Sequence, residues 1–121
     1  MEEQSFPQKD RLRKRLEYLH TQRTGRRVGS QHFTIAYTSN GLGHARLGVT
    51  ASRKTGPAVA RNRVKRLARE CFRRWSARRG LSLDLVVIFR PGAAAAPTLA
   101  QDLARGFARL EPRRAAGEAR P

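Results

Sequence analysis

The sequence predicts an α+β fold: three helices packed on a small mixed sheet. Two observations carry this. Short segments of alternating or continuous apolar character are interleaved with longer stretches whose apolar residues recur at helical spacing. Their order is helix, strand, strand, helix, strand, helix, which places helices on a sheet rather than a bundle or a β-sandwich.

Residues 1–8 are expected to be a disordered lead-in, and one domain is expected over 9–111. The first helix is predicted from Asp10, in DRLRKRLEYLHTQR. Leu12, Leu16 and Leu19 recur at helical spacing, Asp10 is placed to cap, and Gly25 marks the end. HFTIAYT then alternates strictly. Phe33, Ile35 and Tyr37 suit a core face, with Thr34, Ala36 and Thr38 on the other. SNGLGH reads as a turn, and ARLGVTAS as a second strand and hairpin partner of the first. Pro57 suits the first turn of a long helix from about Ala58 to Arg79, stopped by Gly80. LDLVVIFR, apolar almost throughout, reads as a buried central strand. TLAQDLARGFARLE is a last amphipathic helix with Leu99, Leu103, Phe107 and Leu110 inward. The tail 112–121 has nothing to bury and is expected to be disordered.

Charge narrows the partners. The chain carries 26 Lys+Arg against 9 Asp+Glu, a formal net charge of +17. Such a surplus favours polyanions, either nucleic acid or an anionic membrane surface. There is no apolar run long enough for a membrane span and no basic-then-apolar opening segment, so nucleic acid is the better fit. A single cysteine, Cys71, excludes an internal disulfide and suits a reducing cytoplasm.

The densest charge lies in VARNRVKRLARECFRR, residues 59–74. At 3.6 residues per turn, Val64, Leu67, Ala68, Cys71, Phe72 and Trp75 form one apolar stripe. Arg61, Asn62, Lys65, Arg66, Arg69 and Arg73 lie opposite. Glu70, the lone acid, is placed to pair with Arg66 or Arg74 along the helix. The bland alternative is an ordinary solvated face, but such faces are normally balanced by acids. Arg61–Lys65, Lys65–Arg69 and Arg69–Arg73 each cost about 0.2–0.5 kcal/mol as like-charged i,i+4 pairs. An anionic partner would relieve that repulsion. Arg11, Arg13, Lys14 and Arg15 on the first helix extend the basic surface, as do Arg53 and Lys54 before Pro57. SRKTGP also resembles a short anion-binding loop leading into a helix N-terminus.

Nothing points to catalysis by the chain itself. The nine acids form no close cluster of the kind that holds Mg²⁺ in two-metal nucleases. His20, His32 and His44 have no ligand partners at metal spacing, and Cys71 falls on the apolar stripe. On these residues alone the chain reads as a basic RNA- or DNA-binding domain.

RLGVTASRKTGPAVARNRVKRLARECFR resembles the signature of the bacterial ribonuclease P protein subunit: a strand ending in Ser-basic-basic, then Gly, then Ala-Val and the Arg-Asn-Arg helix. The likeness continues in order from about residue 7 to 111, through Arg11-Leu12, Gly25, the strand at Phe33, Asp84 opening an apolar strand, and the final helix. The resemblance implies a ribosomal-protein-like α-β sandwich of about four strands and three helices, with a left-handed βαβ crossover that runs against the general rule. It implies a cytoplasmic, non-catalytic protein cofactor of a ribonucleoprotein endoribonuclease. The catalyst would be a large RNA, with Mg²⁺ held by RNA and substrate phosphates, cutting precursor tRNA at the mature 5′ end. The partners would be that catalytic RNA and precursor tRNA, with no membrane and no protein partner implied. By position, Arg53, Lys54, Arg61, Asn62, Arg63, Lys65, Arg66, Arg69 and Arg73 would contact RNA. Tyr18, Gln22, Thr34 and Ala36 would line a cleft for the single-stranded 5′ leader. Gln22 stands where relatives often carry a second cleft aromatic, so leader contact here should lean on charge and hydrogen bonds. The rivals are a ribosomal or other structural RNA-binding protein, a DNA-binding regulator and a protein-only nuclease.

Overall fold

A computed structural model describes residues 8–111. The disorder expected at 1–8 and 112–121 falls outside the described residues except at Gln8, which instead opens a 3-10 turn, Gln8–Asp10. The elements are α1 (Arg15–Thr24), β1 (Arg26–Gly29), β2 (Phe33–Ser39), β3 (Arg46–Thr50), α2 (Ala58–Arg74), β4 (Leu83–Phe89) and α3 (Leu99–Ala108), with short 3-10 turns between them. The four strands form one mixed sheet in the order β1-β2-β4-β3. β1 and β4 run antiparallel to β2, whereas β3 and β4 are parallel and joined through α2. This is the α+β sandwich of three helices and about four strands that the family resemblance implies, one strand more than the residue pattern alone predicts.

The core lies between one sheet face and the pair α2–α3. Phe33, Ile35, Leu47, Leu85, Val87 and Phe89 from the sheet meet Val64, Ala68 and Phe72 of α2 and Leu99, Leu103 and Phe107 of α3. Phe72 meets Phe107 edge-on at 5.9 Å, and Trp75 stacks on Phe107 at 5.3 Å. Each such side chain, once buried, contributes about 1.5–3 kcal/mol. The opposite face of the sheet carries α1, which packs across β2 and β4.

Four sequence expectations need correction. ARLGVTAS does not pair with the first strand, because β4 lies between them. Leu85, Val86 and Val87 are all fully buried, so β4 is apolar on both faces and takes the position covered on both sides. The intervening loop passes over the start of β4: Asn40 N–H donates to Ser82 O (3.0 Å) and Gly43 N–H to Ser82 Oγ (2.8 Å).

The first helix starts at Arg15, not Asp10, so Arg11, Arg13 and Lys14 precede it. Leu12 instead donates its N–H to Leu47 O (3.0 Å), Arg11 bridges to the β3 edge, and Leu12 is buried there. This tertiary contact overrides the local periodicity. Asp10 is buried against Arg78 (3.7 Å) rather than capping, and Leu16 is left 75% exposed.

β1 is an additional strand. Its RRVG sequence has one buried residue, Val28, and therefore no period to detect. Finally, α2 ends at Arg74; Trp75 turns inward with its Nε1–H on Glu111 Oε2 (2.8 Å), and a 3-10 turn over Ser76–Arg79 reaches Gly80.

Candidate nucleic-acid interface

Cross-strand partners point to the same side of a sheet. The register therefore places three rows on the α1 face: Arg46–Asp84–Thr38, Gly48–Val86–Ala36 and Thr50–Ile88–Thr34. These rows make a graded groove. In the first, Arg46 Nε and Nη2 donate to the two oxygens of Asp84 (2.9 and 2.8 Å), while Arg46 Nη1 reaches Glu17 Oε2 of α1 (3.3 Å). The second row lies beneath α1, with Ala36 and Val86 fully buried. In the third, Thr34, Ile88 and Thr50 are half-buried, and exposed Arg90 donates to Thr34 Oγ1 (3.0 Å).

Tyr18 sits on the middle row through a close approach that only glycine permits. A Cβ on Gly48 would lie 2.7 Å from the Tyr18 ring. Tyr18 and Gln22 are both half-buried, one turn apart, and Arg27 of β1 donates to the Gln22 carbonyl (2.9 Å). Of the four candidate cleft residues, Tyr18, Gln22 and Thr34 border reachable surface. Ala36 does not: it lies on the expected face, but α1 covers it completely, so it supports the helix rather than meeting a ligand. Thr50, Ile88 and Arg90 take its place in the groove. Sequence reasoning missed them because β4 is apolar on both faces and the parallel β3–β4 pairing was not evident.

The α2 stripe divides as the sequence predicts, with Val64, Ala68, Phe72 and Trp75 buried and Leu67 and Cys71 partly so. Burial raises the Cys71 thiol, with the Arg74 charge opposing, which suits a packing role. Arg53, Lys54, Asn62, Arg63, Arg66 and Arg69 are exposed, and Arg61, Lys65 and Arg73 half-buried. Glu70 pairs with Arg73 (2.9 and 3.0 Å) rather than with Arg66 or Arg74, so Arg73 is internally compensated. Among the described residues, no carboxylate pairs with Arg61, Arg63, Lys65, Arg66 or Arg69. Ser52 Oγ accepts Lys54 N–H (3.3 Å), ordering the Arg53–Thr55 turn that carries the chain from the Thr50 end of the groove into α2. The chain thus leads directly from the Thr50 row into the basic helix.

The described acids are all engaged. Asp10 pairs with Arg78, Glu17 and Asp84 with Arg46, Glu70 with Arg73 and Asp102 with Arg105, while Glu111 accepts from Trp75. They form no group of three with His or Cys suited to a metal. The surplus positive charge thus faces solvent with few acids to blunt it. A bowl of about 580 Å³ lined by Lys9, Arg11, Arg13, Lys14, Glu17 and Arg46 continues it along the α1 lead-in. Among the described residues, no helix is long and apolar enough to cross a membrane.

Glu17 also caps α1, its Oε1 accepting the Arg13 and Lys14 backbone N–H groups (3.1 and 3.2 Å). Burial would raise its pKa, but those two N–H groups and the Arg46 guanidinium outweigh burial and hold it below the ordinary 4.5. A lowered folded-state pKa adds stability above the unfolded value, lost as pH falls through the folded one. Glu17→Gln should accordingly be less stable than the parent above about pH 5, by roughly 0.5–1 kcal/mol for a pair this exposed. The difference should shrink in more acid solution, where the parent's own Glu17 carboxylate takes up its proton and the pair with Arg46 is lost. Denaturant melts from pH 3 to 7 check this.

Known proteins fit this geometry. The family model described as ribonuclease P matches residues 6–111. The ribonuclease P protein component of Syntrophus aciditrophicus is 43% identical over 88 residues, covering 73% of this chain and 74% of that protein. That of Thermotoga maritima is 38% identical over 87 residues, covering 72% and 74%. Among solved structures, the Thermotoga maritima RNase P protein superposes with a TM-score of 0.70 at 30% identity, over 83% of this chain and 93% of that one. The Staphylococcus aureus protein also gives 0.70, at 27% identity, over 84% and 91%.

Proposed function

Since this chain belongs to the ribonuclease P protein family, we propose that it binds the catalytic RNA of that ribonucleoprotein through α2 and holds the 5′ leader of precursor tRNA in the groove beside α1. One observation carries the reading: α2, whose exposed Arg63, Arg66 and Arg69 pair with no carboxylate among the described residues, follows through the Arg53–Thr55 turn directly from Thr50, which shares a row with Ile88 and Thr34 beside α1.

The division of labour follows from the side chains. Arg63, Arg66 and Arg69 on α2, with Arg53 and Lys54 at its entrance, supply forked or point-charge donors to phosphate. Tyr18 offers a ring face to an unstacked base, and Thr34, Thr50 and Arg90 offer hydrogen bonds along the strand. With Gln22 one turn beyond Tyr18, the groove has one stacking surface on α1 and relies otherwise on polar contacts. The hydrolytic step belongs to the RNA: Mg²⁺ held by RNA and substrate phosphates supplies the metal-activated chemistry, and the described carboxylates are already bound to internal cations and donors. The protein raises precursor affinity and lowers the Mg²⁺ needed, working in the cytoplasm.

End-labelled precursor tRNA at low Mg²⁺ tests this in three mixtures: protein alone, bacterial ribonuclease P RNA alone, and both. Cleavage to the mature 5′ end should occur only, or much faster, with both. Cleavage by protein alone would make the chain a nuclease, and tight RNA binding without enhancement would make it a structural RNA-binding protein. Tyr18→Ala should weaken binding of leader-bearing precursor about fivefold or more, the low end of a stacking contact; unchanged precursor affinity removes the leader from this groove.

A further inference from the structure

The geometry points to Arg46 and Glu17 as positioning residues that set leader affinity by fixing where Tyr18 lies over the sheet. This rests on the groove being the leader's seat.

Arg46 and Gly48 are two residues apart on β3 and project to the same face, about 7 Å apart. Glu17 and Tyr18 are neighbours in the first turn of α1. The Glu17–Arg46 contact and the Tyr18–Gly48 contact are therefore adjacent links between one helical turn and one strand. The first is polar and directional; the second is a ring resting on bare backbone, with no side chain at position 48 to fix its place. At the sheet end the directional link is rigid. Asp84 holds the Arg46 guanidinium by both oxygens and is itself held by Asn40 Nδ2 (2.8 Å), with side-chain exposure of only 20% for Arg46 and 9% for Asp84. At the helix end, Glu17 divides its two oxygens between the α1 cap and Arg46. The carboxylate thereby ties the start of α1 to the first row of the groove.

A lysine at position 46 keeps the charge but cannot serve two carboxylates with a planar fork. A glutamine at 17 keeps the shape and loses the charge. Neither residue lies on α2, so both variants should bind catalytic RNA as the parent does.

The test uses holoenzyme reconstituted with bacterial ribonuclease P RNA and compares the affinities of precursor tRNA with a multi-nucleotide leader and the same tRNA without one. Arg46→Lys and Glu17→Gln should each lose about fivefold of the leader-dependent affinity, with leaderless tRNA and catalytic RNA affinities unchanged. Tyr18→Ala is run in parallel. Loss in Tyr18→Ala but not in Arg46→Lys or Glu17→Gln overturns the positioning role alone. No loss in Tyr18→Ala overturns the groove assignment beneath it. An equal drop for leader-bearing and leaderless tRNA shows general damage to the fold and likewise overturns the proposal.

Discussion

Replacing Arg63, Arg66 and Arg69 together by glutamine should lower affinity for the catalytic RNA about a hundredfold near physiological salt while leaving the protein as stable as before, or slightly more so. The magnitude follows from counterion release. Each phosphate contact contributes a log–log salt slope of about −0.7 to −0.9, which near 0.15 M salt amounts to roughly a factor of four to five. Three contacts multiply to about a hundredfold, and the slope should flatten by about two to three. The opposite sign on stability makes the experiment decisive. All three side chains are exposed and none is paired with a carboxylate among the described residues. Removing Arg69 also relieves its repulsion with Lys65 and Arg73, about 0.2–0.5 kcal/mol per pair. A merely solvated face predicts the same small stabilisation and no loss of affinity. Filter binding across a salt series, with thermal melts of the same variants, separates the two.

The contrast between the two faces of α2 explains why this helix was legible in the sequence. Its apolar stripe and its basic face each recur at 3.6 residues, and each answers to one surface: the core on one side, solvent on the other. The same holds for α3, where Leu99, Leu103 and Phe107 are buried as their spacing predicts. Legibility failed where a residue's partner is distant in sequence. Leu12 has helical spacing to Leu16, yet its N–H is taken by Leu47. Thr34 and Ile88 become groove neighbours through a pairing 54 residues apart, and Arg46 gains its role from Glu17 and Asp84 on two other elements. Ala36 was placed on the right face by alternation, but alternation says nothing about what lies above that face. The candidate RNA face was thus readable from local pattern, whereas the groove depends on register and on where α1 comes to rest.

That resting place depends on Gly25, and Gly25→Ala should be the most destabilising of the substitutions considered. The backbone there is ordinary extended (φ −79°, ψ 163°), so alanine meets no torsional objection. The obstacle is space. A Cβ would lie 2.5 Å from the Thr21 carbonyl oxygen and 2.6 Å from that of Tyr37. Both are backbone atoms, so neither can swing aside as a side chain would. The Thr21 oxygen is also the acceptor for Gly25 N–H (2.9 Å), which closes the end of α1. Relief requires α1 to lift from β2, at a cost of about 3 kcal/mol, the upper end of ordinary overpacking. For a chain of this size that lowers Tm by about 10–15 °C. Gly80→Ala supplies the comparison: nothing lies within 4 Å of its Cβ position, so its Tm should move by no more than a degree or two. Because α1 carries Tyr18, the folded fraction of Gly25→Ala should also lose leader-dependent precursor affinity while α2 still binds catalytic RNA. A Tm within a few degrees of the parent would show that α1 does not press on β2 at this point, and the groove would then need a different wall.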